Sequence, residues 1–247
     1  MNRLKSVVAL IPMLALFHAA AVSAGPEEYV STPIVEEGEK EIDFKFGTQK
    51  SGDTNRVSAA TLGFGYGVNS WWFTELYGKY KRQSPDGSKF DAWEWENKFQ
   101  LTETGKYFAD FGVLIEVERP QDRTEGYEAR FGPLMQTEIG KFQINANLLW
   151  GRHYRAVSNG PTELGYQAQI KYPVQPQFEI GLQAFGNLGP WKHWSDHDQQ
   201  EHKIGPAIFG KVKVGERQVI KYNAAWLFGT TAATSDNTFR TQIEFEF

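Results

Sequence analysis

Three groups of residues in this chain have types and spacings that could do chemistry. The first is "WKHWSDHDQQEH", which gathers His193, His197, His202, Asp196, Asp198 and Glu201 within ten residues. Imidazoles and carboxylates this close could ligate Zn²⁺, Cu²⁺ or Ni²⁺ if the segment folds back on itself. The spacings match no specific metal motif, however, and the same letters also read as a pH-sensitive gate or as a solvated polar loop. The second group is His153 with Ser158 five residues later. A serine nucleophile needs a positioned base, but no GxSxG elbow or His-x-Ser pair supports that reading. His153 therefore reads as a girdle or loop-anchoring residue, and the chain as a non-enzyme for which no cofactor is expected.

The third group is the largest. Charged residues recur at every second position, opposite apolar ones: Glu75, Lys79 and Lys81; Glu94, Glu96 and Lys98; Glu116; Glu128, Arg130 and Glu138; Lys171; Lys203 and Lys211; Arg240. A period of two is that of a β-strand, whose side chains point alternately to opposite faces. "FQINANLLW" sets Phe142, Ile144, Ala146, Leu148 and Trp150 against Gln143, Asn145 and Asn147. The closing "FRTQIEFEF" sets Phe239, Thr241, Ile243, Phe245 and Phe247 against Arg240, Gln242, Glu244 and Glu246. About twelve such segments follow one another. Short connections near 67–70, 102–106, 140–141, 173–176 and 214–216 alternate with longer ones near 50–54, 83–88, 119–126, 156–161, 187–200 and 230–237. "GFGYG" (63–67) reads as a Gly-aromatic strand with a bend, not a phosphate loop, because no helix or lysine follows it.

The start of the chain carries an address. Arg3 and Lys5 precede an apolar run to Ala21, and Val22-Ser23-Ala24 is a small-x-small cleavage site, so residues 1–24 read as a secretory signal peptide. Residues 25–39 form an acidic leader, expected to be a periplasmic tether, with docking to a periplasmic partner or entry into the pore as the alternatives, and 40–247 form one domain. The 247 residues contain no cysteine, so backbone pairing and packing rather than disulfides must hold an exported chain together. The 26 basic residues are outnumbered by 30 acidic ones, and losing Arg3 and Lys5 widens that excess, which argues against nucleic acid as a partner. Eight Trp and 15% aromatics, with no later apolar run long enough for a membrane helix, fit a membrane protein only if the span is a closed barrel.

The expected fold is thus an all-β, antiparallel, up-and-down transmembrane barrel of about twelve strands. Short turns would lie on the periplasmic side and longer loops outside. A soluble sandwich or lipocalin-like barrel also alternates, but its apolar face points inward. Trp71 and Trp72 follow a short turn, while Trp150, Tyr154, Trp191 and Trp194 lie beside long loops, as two interfacial girdles would require. The signal segment, the alternating strands, the loop asymmetry and the terminal "QIEFEF" together resemble a Gram-negative outer-membrane β-barrel protein, such as a small porin or outer-membrane transporter. That resemblance implies export through the general secretory pathway, outer-membrane lipid around the barrel, and a barrel-assembly machinery that reads Ile243, Phe245 and Phe247 as an insertion signal. The polar faces would line a lumen, acidic toward the middle of the sequence and basic toward its end. The expected function is a narrow passive channel for small polar or charged solutes. The alternatives are a plugged structural or adhesive barrel and, further off, a lipid hydrolase at the rim.

Overall fold

The computed structural model describes residues 25–52, 55–83 and 87–247; the signal segment, 1–24, lies outside them. Twelve strands follow in chain order: β1 Lys40–Ser51, β2 Asn55–Asn69, β3 Trp72–Gln83, β4 Gly87–Gln100, β5 Asp110–Pro120, β6 Tyr127–Ile139, β7 Phe142–Tyr154, β8 Glu163–Gln175, β9 Phe178–Pro190, β10 Glu201–Lys213, β11 Val219–Gly229 and β12 Asn237–Glu246. Each pairs antiparallel with its sequence neighbours, and β12 pairs with β1 from Glu41↔Glu246 to Lys50↔Asn237. The barrel is closed. No strand edge is left with unpaired backbone groups, the condition for a sheet to sit in lipid.

Alternation fixes which face is which. Phe44, Leu62, Phe64, Leu76, Trp95, Ile115, Phe131, Leu148, Leu182, Ile208 and Trp226 are exposed on the outside, while Asp43, Glu75, Glu96, Glu116, Lys203 and Arg240 are buried inside. This is inverted relative to a soluble barrel. So large an apolar exterior requires an apolar solvent, and strands of ten to fifteen residues are long enough for a tilted span.

Not every inward residue is polar. Phe73 and Tyr77 on β3 also point in and are almost completely buried. Their space comes from the facing β2: a Cβ at Gly63 would collide with the Tyr77 ring, and one at Gly65 with the Phe73 ring. Gly63 and Gly65 of "GFGYG" make room for neighbouring aromatics.

The connections differ in two places from the expected alternation. β1 and β2 pair out to Ser51↔Asn55, and β3 and β4 out to Gln83↔Gly87, so strand reaches into both connections expected to be long, at Lys50 and Ser51 in 50–54 and at Gln83, Gly87 and Ser88 in 83–88. Conversely, the turn expected near 102–106 runs over 101–109. It is pinned by bonds from Gly105 N to Asp110 Oδ1 (2.8 Å), from Phe111 N to Thr102 Oγ1 (2.8 Å) and from Thr137 Oγ1 to the Phe108 carbonyl (2.6 Å). It turns Tyr107 and Phe108 outward as a lip, with Phe108 82% exposed. The remaining connections at that end are short, and those at 121–126, 155–162, 191–200 and 230–236 form the long-loop end.

Candidate functional site

The register brings the charges of the middle strands together in rows. Glu75, Glu96, Glu116 and Arg130 lie opposite one another in one row across β3 to β6, and Glu94, Glu118 and Glu128 in the next. Like charges on facing positions cost stability unless a cation divides them. Lys79 does so, with Nζ 3.1 Å from Glu94 and 2.5 Å from Glu118, and Arg130 Nε lies 3.0 Å from Glu116.

The later strands build a different wall. Gln183 Nε2 donates to Gln169 Oε1 (2.7 Å), Gln169 Nε2 to Asn145 Oδ1 (3.2 Å), and Asn145 Nδ2 to Gln136 Oε1 (3.0 Å). Arg240, 1% exposed, ends this chain of amides by donating to Gln183 Oε1 (3.0 Å) and to Asn223. Below and beside it, Phe185, Ala207, Phe209, Ala225 and Leu227 form an apolar patch inside the barrel.

The leader runs through the space between these walls. Residues 25–39, expected as a periplasmic tether, lie inside the lumen. Ser31 N donates to Gln167 Oε1 (3.2 Å), Asn147 Nδ2 to the Ser31 carbonyl (2.9 Å), and Val35 N to Gln100 Oε1 (2.7 Å). Tyr29 donates to Glu96, and Lys45 Nζ sits between the Tyr29 and Tyr77 rings, 3.4 and 3.7 Å from their centroids. Val30 completes the apolar patch of Phe185 and Leu227. Glu27 faces Lys79, and Glu28 faces Arg130 and Lys203. At the turn end the leader joins β2 through Gly38 N to the Gly67 carbonyl and Gly67 N to the Glu39 carbonyl, both 2.8 Å. Two glycines make room for its backbone: a Cβ at Gly47 would fall on the Pro26 carbonyl, and one at Gly67 on that of Glu36.

The leader lines a small cavity of about 30 Å³ through Glu28 and separates the two larger cavities of the lumen. One, of about 310 Å³, opens toward the turn end and is lined by Glu41, Lys98, Lys171, Lys211 and Glu244. The other, of about 340 Å³, opens toward the loops and is lined by Lys79, Lys81, Glu94, Glu118, Glu128, Arg130 and His153. No lining residue is shared between them. Glu138, grouped with the lumen from its sequence position, is instead exposed near the turn end and lines neither cavity.

His153 points inward and is buried, 3.7 Å from Glu128 and 3.3 Å from the carbonyl of Glu125 in the β5–β6 loop, so it fits the loop-anchoring reading, beside the loop-end cavity, and not that of an outer girdle. His197 and His202 stack with ring centroids 5.9 Å apart, but none of His193, Asp196 and Asp198 joins them within reach of one ion. Among the described residues, the groups of three with ligand atoms close enough for one ion are Glu39/Glu41/Glu246 and Glu94/Glu96/Glu116. Both His202 nitrogens are engaged, Nδ1 with the Tyr166 hydroxyl (3.0 Å) and Nε2 with Gln200 Oε1 (2.8 Å), which takes the best placed ligand out of the loop.

The aromatics and the last strand face outward. Trp71, Tyr154, Trp191 and Trp194 are exposed, while Trp72 and Trp150 stack on Phe99 and Phe131. Ile243 and Phe247 are exposed, Phe245 stacks on Phe247, and Phe247 N bonds the Lys40 carbonyl as the barrel closes.

No protein-family model matches the chain, and no curated protein matches it. Solved structures do. The NanC porin aligns with 83% of this chain and 100% of its own at 8% identity, with a TM-score of 0.57. An outer membrane channel from Pseudomonas putida F1 aligns with 91% and 99% at 10% identity and the same TM-score. The KdgM porin aligns with 84% and 99% at 8% identity, with a TM-score of 0.55. At such identities the likeness is one of fold: a closed barrel of similar size.

Proposed function

We propose that this protein is a passive outer-membrane channel for small polar or charged solutes, closed at mid-height by its own leader. The observation that carries this reading is the separation of the two larger cavities of one charge-lined lumen by a segment that is not part of the barrel wall. Each cavity has the size of a small-ligand pocket, and each opens to a different end. Removing fifteen residues of leader would join them. The apolar exterior, the fold shared with outer-membrane channels and the export segment support the outer-membrane location. In it, outer-membrane lipid contacts the aromatic rims, and the assembly machinery reads Ile243, Phe245 and Phe247. The fold shared with outer-membrane channels makes transport the activity proposed.

The density of polar contacts between leader and wall also fits a permanently plugged structural barrel. Single-channel recording in planar bilayers separates the two. The mature chain should show a low-conductance closed state with brief openings, and loosening the leader should lengthen them. If neither the mature chain nor a leader-loosening variant passes current at any salt or voltage, the channel reading is wrong.

A further inference from the structure

The leader marks a binding site as well as closing the lumen. Glu28 places its carboxylate among three cations from three strands: Arg130 at 3.8 Å, Lys203 at 3.9 Å, and Arg240, whose charge also acts on it. The fit is loose. Among the described residues, its one hydrogen bond from the wall is from Gln167 Nε2 to Oε1, at 3.3 Å, and Oε2, though buried, accepts none. Arg240 is the complementary orphan: it is held by the neutral Gln183 and Asn223, and its buried Nε donates to nothing. A buried guanidinium with an unused donor costs free energy unless an anion comes to it.

The cradle also has an apolar floor. Lys203 and Arg240 both lie over the Phe185 ring, at 5.5 and 5.9 Å, and Phe185 belongs to the patch that Val30 of the leader covers. Glu28 and Val30 together present a carboxylate and a branched alkyl group to one continuous surface.

We infer that the Arg130, Lys203, Arg240 and Phe185 surface is a binding site for a small monocarboxylate bearing an apolar group, which the leader occupies through Glu28 and Val30. The site rests on the channel reading for its role: a solute of this class competes with the leader, so that binding and opening are coupled. A free carboxylate that reaches hydrogen-bonding distance of Arg240 Nε and Lys203 makes contacts Glu28 does not, because it is not tethered to a backbone held by Asn147 and Gln167.

The test uses isovalerate as probe, with isovaleramide as its neutral isostere, titrated calorimetrically into the mature protein in detergent. Glu28→Gln should bind isovalerate at least tenfold more tightly than the mature chain, and isovaleramide not at all. Adding Arg130→Gln and Lys203→Gln should abolish the gain. Heat-modifiable mobility in gels shows that each variant is a folded barrel, and Lys203→Met alone, which keeps the stem, should lose most of the affinity if the triple variant does not fold. Equal heats for acid and amide, or no gain in Glu28→Gln, would overturn the site. Swelling of proteoliposomes separates this from the channel itself: isovaleramide flux without isovalerate binding leaves the channel and removes the site, and binding without flux of either does the reverse.

Discussion

The two walls of the lumen handle buried charge in opposite ways. Across β3 to β6 the carboxylates are crowded and mostly divided by cations of the same wall, Lys79 between Glu94 and Glu118 and Arg130 on Glu116, while Glu96 takes its hydrogen bond from Tyr29 of the leader. Across β8 to β12, Lys171 and Lys221 pair with Glu179 and Glu246, but Lys203 and Arg240 stand among amides and apolar groups, and Arg240 hydrogen-bonds only the neutral Gln183 and Asn223. The first wall answers most of its charge from its own strands. The second is completed from outside, here by the leader, which makes it the side that can recognise a solute.

The sharpest way to break this contrast is to remove one cation from each wall. Lys79→Ala leaves Glu94, Glu118 and Glu27 without their shared partner and should destabilise the barrel by about 3–5 kcal/mol, as measured by urea unfolding in lipid vesicles. Arg240→Met, which fills similar volume against Phe185, should cost about 1 kcal/mol or less, because the charge it removes is not repaid within the wall. Comparable losses would mean the walls are equivalent.

A smaller change probes the leader without touching either wall. Gly47→Ala sets a methyl on the Pro26 carbonyl, and the leader must yield because β1 is bonded on both sides. Open time in bilayers should rise severalfold while unfolding moves by less than about 1 kcal/mol; unchanged gating would mean that the leader does not close the pore.

The mildest perturbation is pH. Glu39, just before β1, has its pKa pushed up to about 8, by burial first and then by its hydrogen bond to Glu246. The folded rim therefore favours the protonated acid. Its stabilising share is complete below the ordinary carboxyl range and is lost as pH rises through about 8. The leader's base should be held firmly at pH 6 and loosened at pH 9, with longer openings, and Glu39→Gln should flatten that dependence.

Much of this architecture is legible in the alternation of residues, because a lipid-facing strand exposes its period directly: Ile144, Ala146, Leu148 and Trp150 outside, Asn145 and Asn147 inside. The leader is not legible in that way. Its partners are far off, Gln167 lying 136 residues from Ser31, and fifteen residues without periodicity do not announce where they dock. Inward aromatics such as Tyr77 and Phe185 are hidden for a related reason, since a charge-based reading of the lumen passes over them. A signal did exist: inward glycines at 47 and 67 are spaces that something must fill, and the acidic Glu27 and Glu28 match the lumen cations Lys79, Arg130 and Lys203. The histidine loop failed because closeness along a chain is not convergence in space.

The central claim, that the leader is the gate, is tested most directly by locking it. The chain has no cysteine, so Val30→Cys with Ala225→Cys, two positions of one apolar patch, gives a single possible disulfide. Recorded in a planar bilayer, the oxidised protein should be silent, and the same molecules should open on reduction. Equal conductance before and after reduction, with the crosslink verified by mass, would contradict the account.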